Sequence, residues 1–297
     1  MLFVAIRRTD LNRCLALVFT DRESARQLEK VAMKGLEFEV QVNPAFPNQF
    51  LLLIVLSDRK NDDVFATLAE DLIEVVAKET SEAKLIASIH RRVLIWKSLF
   101  DETLGGGLSL DGQIGLFGEL SLLKTMLESG RRPVSSCIDS WVGPEAGNRD
   151  FELGGWAAEV KATRSNQHHK ITISSERQLD NTHLERLFLC CFAYEVQKAA
   201  GITLNALVAE LRILMDLHPG EAIKFERKLF LAGYLEKHYS VYDEHGFIER
   251  SHGYFEVTDS FPCIREHDLP NGVGDVRYSI VVSAIAPFST DLTHLLD

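Results

Sequence analysis

A predicted β-hairpin places the strongest constraint on how this chain can fold. Asp150–Leu153 and Trp156–Thr163 both have the character of strands, and the Gly154-Gly155 pair between them is a strong signal for a tight turn. A turn of this length makes the two strands neighbours in one sheet. The beginning of the first strand therefore lies beside the later part of the second.

The polar residues of this hairpin are spaced as hydrolysis of a phosphodiester requires. Side chains alternate along a strand, so Glu159 and Lys161 lie on one face and Val160 on the other. A hard divalent cation with oxygen ligands activates water and neutralises phosphate charge. We interpret Asp150 and Glu159 as ligands of one ion, and Lys161 as a contact to the water or scissile phosphate. A set of salt bridges on the strand surface is the alternative.

Three other (D/E)-x-K triplets occur, and their surroundings distinguish them from this one. They are Asp58-Arg59-Lys60, Glu82-Ala83-Lys84 and Glu226-Arg227-Lys228. The first follows a predicted strand and is expected to lie in a turn. The other two lie in helical patterns, where residues two apart do not share a face. We therefore expect substitution of Lys84 or Lys228 to have almost no effect on activity.

Sequence patterns around the hairpin predict the rest of a core. Gly115–Leu127 has apolar residues at helical spacing and contains Glu119, while Leu187–Val196 is an apolar run typical of a central strand. Between them the sequence predicts a loop over Arg131–Gly147, the hairpin, a strand over Lys170–Ile173, and a short helix from Ser174 or Ser175 to Leu184. The order is α-β-β-β-α-β.

The flanking regions are mixed as well. Before the core, the sequence predicts strands at Leu2–Ile6, Leu15–Phe19, Leu36–Val42 and Phe50–Leu56, and helices at Asp62–Lys78 and Glu82–Phe100. After it, the sequence predicts helices at Ile202–Leu217 and Glu221–Leu235, and strands at Tyr239–Tyr242, Gly253–Thr258 and Arg277–Ala284. Gly105-Gly106-Gly107 marks the first boundary, and the predicted core ends shortly after Val196. The regions are therefore 1–104, 105–197 and 198–297.

The segment Gly115–Val196 resembles the PD-(D/E)XK nuclease superfamily, whose core is αβββαβ. The stretches GLFGEL, WVGPEAGNRDFEL, EVKAT and ITISSERQLD look like those of a bacterial family described as belonging to that superfamily. The resemblance implies an α+β fold with a restriction-endonuclease-like core. It also implies a nuclease that uses Mg²⁺, for which Mn²⁺ can substitute.

The resemblance also assigns roles by position. Asp150 and Glu159 would bind the metal, and Lys161 would orient the nucleophile. Arg149 stands where the nominal motif has proline, a departure that many members of the superfamily share.

Two further residues match the family pattern. Glu119 corresponds to an acidic residue that many members place on the preceding helix, where it would join the metal ligands; a solvated helix residue is the alternative. Gln178 lies where some members have an auxiliary polar residue, and a plain surface position is its alternative.

Net charge counts against binding of nucleic acid through bulk electrostatics. The chain carries −11 at pH 7, although local cations and a metal can still hold phosphates. No apolar run reaches the eighteen or so residues of a membrane helix, and the N-terminus has no signal-peptide pattern, so we expect a cytoplasmic protein with no membrane partner. The five cysteines include no C-x-x-C pair, which argues against a disulfide framework or a zinc site.

Other candidate residues have ordinary explanations. His168-His169-Lys170 could contact phosphate or form a polar turn between strands. His238, His245 and His252 recur every seven residues but straddle predicted turns, which favours chance. Trp141 and Trp156 are expected to be core or loop anchors, not base-stacking platforms.

Three hypotheses follow. The first is a Mg²⁺-dependent endonuclease whose expected substrate is DNA, although the sequence does not decide between DNA and RNA. A place in a restriction or phage-defence system follows from family association alone. The second is a nuclease-like subunit that binds without cutting, and the third is an unrelated α+β protein. Protein partners and a homodimer stay open.

Overall fold

The structure is a computed structural model, and its two compact units are described separately. It describes residues 2–29, 35–57, 62–78, 82–103, 106–145, 147–164, 170–198 and 200–296. The first unit spans residues 1–105 and the second 106–297. Within these described ranges, no helix is both long and apolar enough to cross a membrane.

The first unit is a four-stranded antiparallel sheet with three helices. Its elements are β1 (Leu2–Ile6), β2 (Arg13–Phe19), α1 (Arg22–Glu29), β3 (Leu36–Val42), β4 (Phe50–Leu56), α2 (Asp62–Lys78) and α3 (Glu82–Thr103). The strand order is β1-β2-β4-β3. All four predicted strands and both predicted helices are confirmed. Helix α1 was not predicted from the sequence, because it is short and mostly polar; its Ala25 side chain is buried.

The second unit contains the predicted nuclease-like core. Its helices are α4 (Leu110–Ser129), α5 (Val134–Ser140), α6 (Leu204–Leu214), α7 (Pro219–Leu231), α8 (Tyr239–Tyr242), α9 (Val282–Ile285) and α10 (Leu292–Leu296). Its strands are β5 (Phe151–Leu153), β6 (Trp156–Arg164), β7 (Lys170–Ile173), β8 (Arg186–Gln197), β9 (Ile202–Thr203), β10 (Gly246–Glu256), β11 (Tyr278–Val281) and β12 (Ser289–Thr290).

The central sheet of this unit has the order β12-β10-β8-β6-β5. Strands β5 and β6 form the predicted antiparallel hairpin, and β6 runs parallel to β8. The prediction of an interior strand over Leu187–Val196 is confirmed, because β8 lies between β6 and β10. The fold is therefore α+β with a restriction-endonuclease-like core.

Each face of the central sheet has its own hydrophobic core. On β6, Ala158 and Val160 belong to the core formed with helices α4, α6 and α7. Ala157 belongs to the opposite core, formed with β7 and β11. Glu159 and Lys161 follow Ala157 on that second face, so two charged side chains continue an otherwise apolar row.

Several predicted elements are wrong in detail. Strand β7 exists, but it pairs with β11 in a separate two-stranded sheet. The helix predicted after it is a single 3-10 turn, Glu176–Leu179. The chain is already extended at Asp180, whose side chain accepts a hydrogen bond from the backbone N–H of Thr182 instead. The segment predicted as a loop over Arg131–Gly147 contains α5 and a second 3-10 turn at Gly143–Glu145. Tyr239–Tyr242 is helical, and the strand predicted over Arg277–Ala284 ends at Val281, where α9 begins.

Residues 198–297 fold together with the core. Strand β10 pairs antiparallel with β8 along almost its whole length. Leu207 and Val208 of α6 and Phe225 and Leu229 of α7 are buried in the same core as α4. The region predicted from the sequence to be an appendage therefore covers one face of the central sheet. It also provides three strands of that sheet, β10, β12 and β9, the last of which pairs with β10.

Gly118 lets helix α4 lie unusually close to β6. A β-carbon at this position would stand 2.7 Å from the Cβ of Ala162 and 3.4 Å from a methyl group of Val160. The Ala162 β-carbon is fixed to the strand backbone, so it cannot turn aside. The close approach matters because the next residue of the helix is Glu119.

We expect Gly118→Ala to destabilise the protein, because helix α4 would have to move away from β6. Overpacking of this kind costs about 1–3 kcal/mol. Gly115→Ala is a matched control on the same helix, because a β-carbon there meets no atom within 4 Å. That change should stabilise the helix by up to about 1 kcal/mol. The free energies of unfolding from urea titrations give the comparison, and equal values for the two variants would contradict the packing argument.

Candidate active site

Asp150 lies where the pairing of the hairpin ends. The last backbone pair of β5 and β6 is Phe151 with Ala158. Beyond this pair, the side chain of Asp150 replaces a backbone acceptor: its Oδ2 accepts a hydrogen bond of 2.7 Å from the backbone N–H of Val160. The carboxylate is thereby fixed beside β6, at the residue that follows Glu159 in the strand.

Glu159, Lys161 and Gln178 form a chain of contacts on one face of β6. The Nζ of Lys161 lies 2.6 Å from Oε1 of Glu159 and donates to Oε1 of Gln178 at 3.1 Å. The same oxygen of Gln178 accepts a 2.8 Å hydrogen bond from the backbone N–H of Ser174. The 3-10 turn after β7 therefore holds the amide that positions the lysine ammonium.

Glu119 approaches the cluster from helix α4. Its Oε2 accepts a 2.7 Å hydrogen bond from the indole Nε1 of Trp141, whose side chain is fully buried. A β-carbon on Gly143 would lie 3.2 Å from this Oε2 and 3.1 Å from Oδ1 of Asp150. The two carboxylates therefore border one small space, which the missing side chain of Gly143 leaves open.

The segment that carries Trp141 and Gly143 is held from behind by Lys228. The side chain of Lys228 is buried, and its Nζ donates to the backbone oxygens of Ile138 at 2.8 Å and Trp141 at 2.5 Å. These oxygens lie at and just beyond the end of α5, where few helical donors remain, and the Ile138 oxygen also accepts a hydrogen bond from the backbone N–H of Trp141. Lys228 is therefore a buried structural residue, and its removal would take a donor from these backbone oxygens. The expectation that its substitution has almost no effect on activity stays a prediction.

Burial raises the pKa values of all three carboxyl groups. Desolvation is the largest cause at Glu159, whose pKa rises to about 8, with the charge of Asp150 adding to the shift and Lys161 opposing it. Desolvation also raises the pKa of Asp150 to about 6, against a backbone hydrogen bond and the charge of Lys161. The pKa of Glu119 lies well above its usual range because desolvation and the charges of Asp150 and Glu159 outweigh its hydrogen bond.

This set of donors fits a hard divalent cation. Each carboxylate uses one oxygen on a protein donor, and Oε2 of Glu159 is buried with no hydrogen-bond partner. Within the described residues, no group of three or more acidic, histidine or cysteine side chains is arranged to hold an ion. Mg²⁺ commonly takes only one or two protein carboxylates and completes its shell with water and phosphate oxygens. Asp150 and Glu159 can supply those two, with Glu119 adjacent to them.

The other candidate residues do not join this cluster. His238, His245 and His252 form no metal site in the described part of the chain. His168 and His169 lie outside the described residues, as does the triplet at 58–60. Glu226 contacts Arg212, while Lys228 contacts carbonyls, so this triplet does not act as a unit.

Trp141, Gly143 and Lys228 are the site residues that the sequence analysis did not identify as such. Trp141 is a buried anchor, as expected, but it also positions Glu119. For Trp141 and Gly143 the available signal was a tryptophan two residues before a glycine, shortly before the hairpin. No local pattern marks Lys228, because its contacts cross 87 to 90 residues of sequence.

We expect the metal-free protein to lose stability between about pH 5 and pH 8. A carboxyl group whose pKa is raised by folding stabilises the fold below its unfolded value, and this contribution disappears as pH rises through the folded value. For Glu159 that folded value is about 8. The glutamine side chain cannot ionise, so the free energy of unfolding of Glu159→Gln, relative to that of wild type, should increase with pH. Urea titrations in EDTA at several pH values test this, and an equal pH dependence for both proteins would contradict it.

Comparison with known proteins places the chain in a family. A family model described as "Putative PD-(D/E)XK family member" (DUF4420) matches residues 1–283. Neither the curated proteins nor the solved structures gave a match. The family match covers nearly the whole chain, including the hairpin with Asp150, Glu159 and Lys161. The chain therefore belongs to this PD-(D/E)XK family.

Proposed function

We propose that this protein is a divalent-metal-dependent nuclease that cleaves DNA. Family membership indicates a nuclease-like function and, typically, a divalent metal. The observation that carries the proposal is the convergence of Asp150, Glu159 and Lys161 at one end of the β5–β6 hairpin, with Glu119 beside them. Buried carboxylates next to a lysine are costly to keep unless they serve a ligand.

Asp150 and Glu159 would hold Mg²⁺, or Mn²⁺ in its place, with Glu119 adjacent to the same space. Once bound, a divalent cation activates water and neutralises phosphate charge. The protein groups then have separate tasks. Oδ2 of Asp150 is occupied by Val160, so its Oδ1 is the oxygen available to a ligand. At Glu159 the available oxygen is Oε2, because Oε1 contacts Lys161.

Lys161 is the group best placed to act on the reacting atoms. Its side chain is only 17 % exposed, and its ammonium is held by Glu159 and by a hydrogen bond to the Gln178 amide oxygen. From this position the ammonium can orient the attacking water and stabilise negative charge that develops on the phosphate oxygens. Gln178 is a positioning residue in this account because its contact is with Lys161.

A second function, a subunit that binds nucleic acid without cutting it, is favoured by one observation. The chain has a net charge of −11, which opposes tight binding of a polyanion by the isolated protein. A partner protein could then supply the cationic surface. A role in restriction or phage defence, with such partners, is the setting we propose for either function.

We expect Lys161→Ala to abolish cleavage while leaving the fold and most metal binding intact. Loss of a charge that stabilises the transition state typically costs about a hundred-fold or more in rate. Lys161→Met, which keeps the apolar stem, should behave in the same way. The measurement is nicking and linearisation of plasmid, together with cleavage of single-stranded DNA and of RNA, in Mg²⁺ or Mn²⁺.

Lys84→Ala is the control, because Lys84 is an exposed helix residue of the first unit. It should cleave at the wild-type rate. Equal activity of Lys161→Ala and wild type would end the assignment of the lysine. If wild type itself fails to cleave every substrate, the non-cutting subunit becomes the better account. Cleavage of RNA alone would overturn the choice of DNA.

A further inference from the structure

A pocket in the same unit shares two segments of chain with the catalytic cluster. Its volume is about 550 Å³, and it is lined in part by Arg149, Arg177, His183 and His267. We call it the Arg149 pocket. Arg149 directly precedes Asp150 in the chain. Arg177 directly precedes Gln178, which contacts Lys161. The charge of Arg149 also acts on Glu159 and lowers the pKa of that carboxyl group, so the pocket and the catalytic cluster are close enough to interact electrostatically.

Arg149 is a buried cation with donors to spare. It is 9 % exposed. A guanidinium has five N–H donors. The Nη1 of Arg149 donates to Oε1 of Glu152 at 3.0 Å, and its Nη2 donates to the backbone oxygen of Asp180. Its Nε has no hydrogen-bond partner in the described part of the chain. A buried donor without a partner is costly, so the side chain is held here at the expense of stability.

Arg177 supplies the second cation of the pocket. Its side chain is 49 % exposed, and its contact with Glu176 is long, at 3.8 Å. The carboxylate of Glu176 is already engaged by the backbone N–H groups of Asp275 and Val276. Arg177 can therefore reach towards a ligand without giving up a strong ion pair.

The acidic residues of the pocket do not cancel this charge equally. Both oxygens of Asp180 are engaged: Oδ1 accepts from the backbone and hydroxyl of Thr182, and Oδ2 accepts from the backbone N–H of Glu266. Its negative charge is thus spread over three donors. The side chain of Glu266 also lines the pocket, and it is the group that would oppose an anion there.

On the basis of the nuclease function proposed above, we propose that the Arg149 pocket binds a backbone phosphate of the nucleic-acid strand next to the linkage that is cut. Paired arginines match the oxygens of a phosphate because their donors form a planar fork. Phosphate binding would also explain why position 149 is arginine, since the nominal proline has neither a charge nor side-chain hydrogen-bond donors. In a chain of net charge −11, such local contacts are the means of holding a polyanion.

The test is binding of a short fluorescein-labelled single-stranded DNA to the full chain, measured by anisotropy in EDTA at several KCl concentrations. Arg177→Ala should bind about tenfold more weakly than wild type, the usual effect of losing a charged hydrogen bond. The slope of log K against log salt should become shallower by about 0.7, because one fewer phosphate is neutralised. Glu266→Gln should bind more tightly than wild type.

Arg250→Ala is the matched control. Arg250 is also 49 % exposed, but it pairs with Glu195 away from the pocket. Arg250→Ala removes the same charge as Arg177→Ala, so it measures how far a general loss of positive charge weakens the attraction between protein and DNA. Equal binding and equal salt slopes for Arg177→Ala and Arg250→Ala would overturn the proposal. Arg149 itself is a poorer test, because its replacement would leave the Asp180 carbonyl without its donor and could unfold the unit.

Experiments with inorganic phosphate distinguish a site for a backbone phosphate of nucleic acid from a site for free phosphate ions. Competition between phosphate and DNA in wild type, weakened by Arg177→Ala, supports the proposal. Thermal stabilisation by phosphate that needs Arg177, with DNA binding independent of Arg177, would show a free-anion site and overturn it. Failure of wild type to cleave, with DNA binding that depends on Arg177, would remove the nuclease function but leave the phosphate site standing.

Discussion

Three carboxyl groups crowd into one poorly solvated site beside Lys161, and this concentration of negative charge is the constraint on which the rest of the structure depends. Glu119, Asp150 and Glu159 all have raised pKa values, with desolvation as the largest cause. In the metal-free protein, protons offset part of this charge. A cation of higher charge can do so more fully, since among the residues that the structure describes each carboxylate has only one oxygen engaged by a protein donor.

Each carboxylate is held by a different part of the fold, and this division explains several otherwise separate features. Because β5 begins only at Phe151, the backbone N–H of Val160 donates to the side chain of Asp150. The alternation of β6 puts Lys161 against Glu159. Gly118 brings α4 close to the sheet, and Trp141 then anchors Glu119. The C-terminal region also takes part, because α7 contributes the lysine that supports the end of α5.

The sequence predicted the part of this arrangement that depends on local geometry. A glycine pair and strand alternation sufficed to predict that Glu159 and Lys161 share a face near Asp150. Gln178 followed only from family resemblance, and the helix predicted around it, as far as Leu184, is a single 3-10 turn. The pairing of β7 with β11 and the contacts of Lys228 could not be predicted, because they join segments far apart in the chain. Such contacts depend on tertiary packing, which periodicity does not encode.

The central claim is that a divalent ion replaces protons on this carboxylate cluster. Titration calorimetry with Mn²⁺ at pH 7, repeated in buffers of different ionisation enthalpy, measures the protons released on binding. Because burial raises the pKa of Glu159 to about 8, the account predicts release of about one proton per ion, reduced in Glu159→Gln. Saturable binding with no proton release, or release unchanged in that variant, would contradict it.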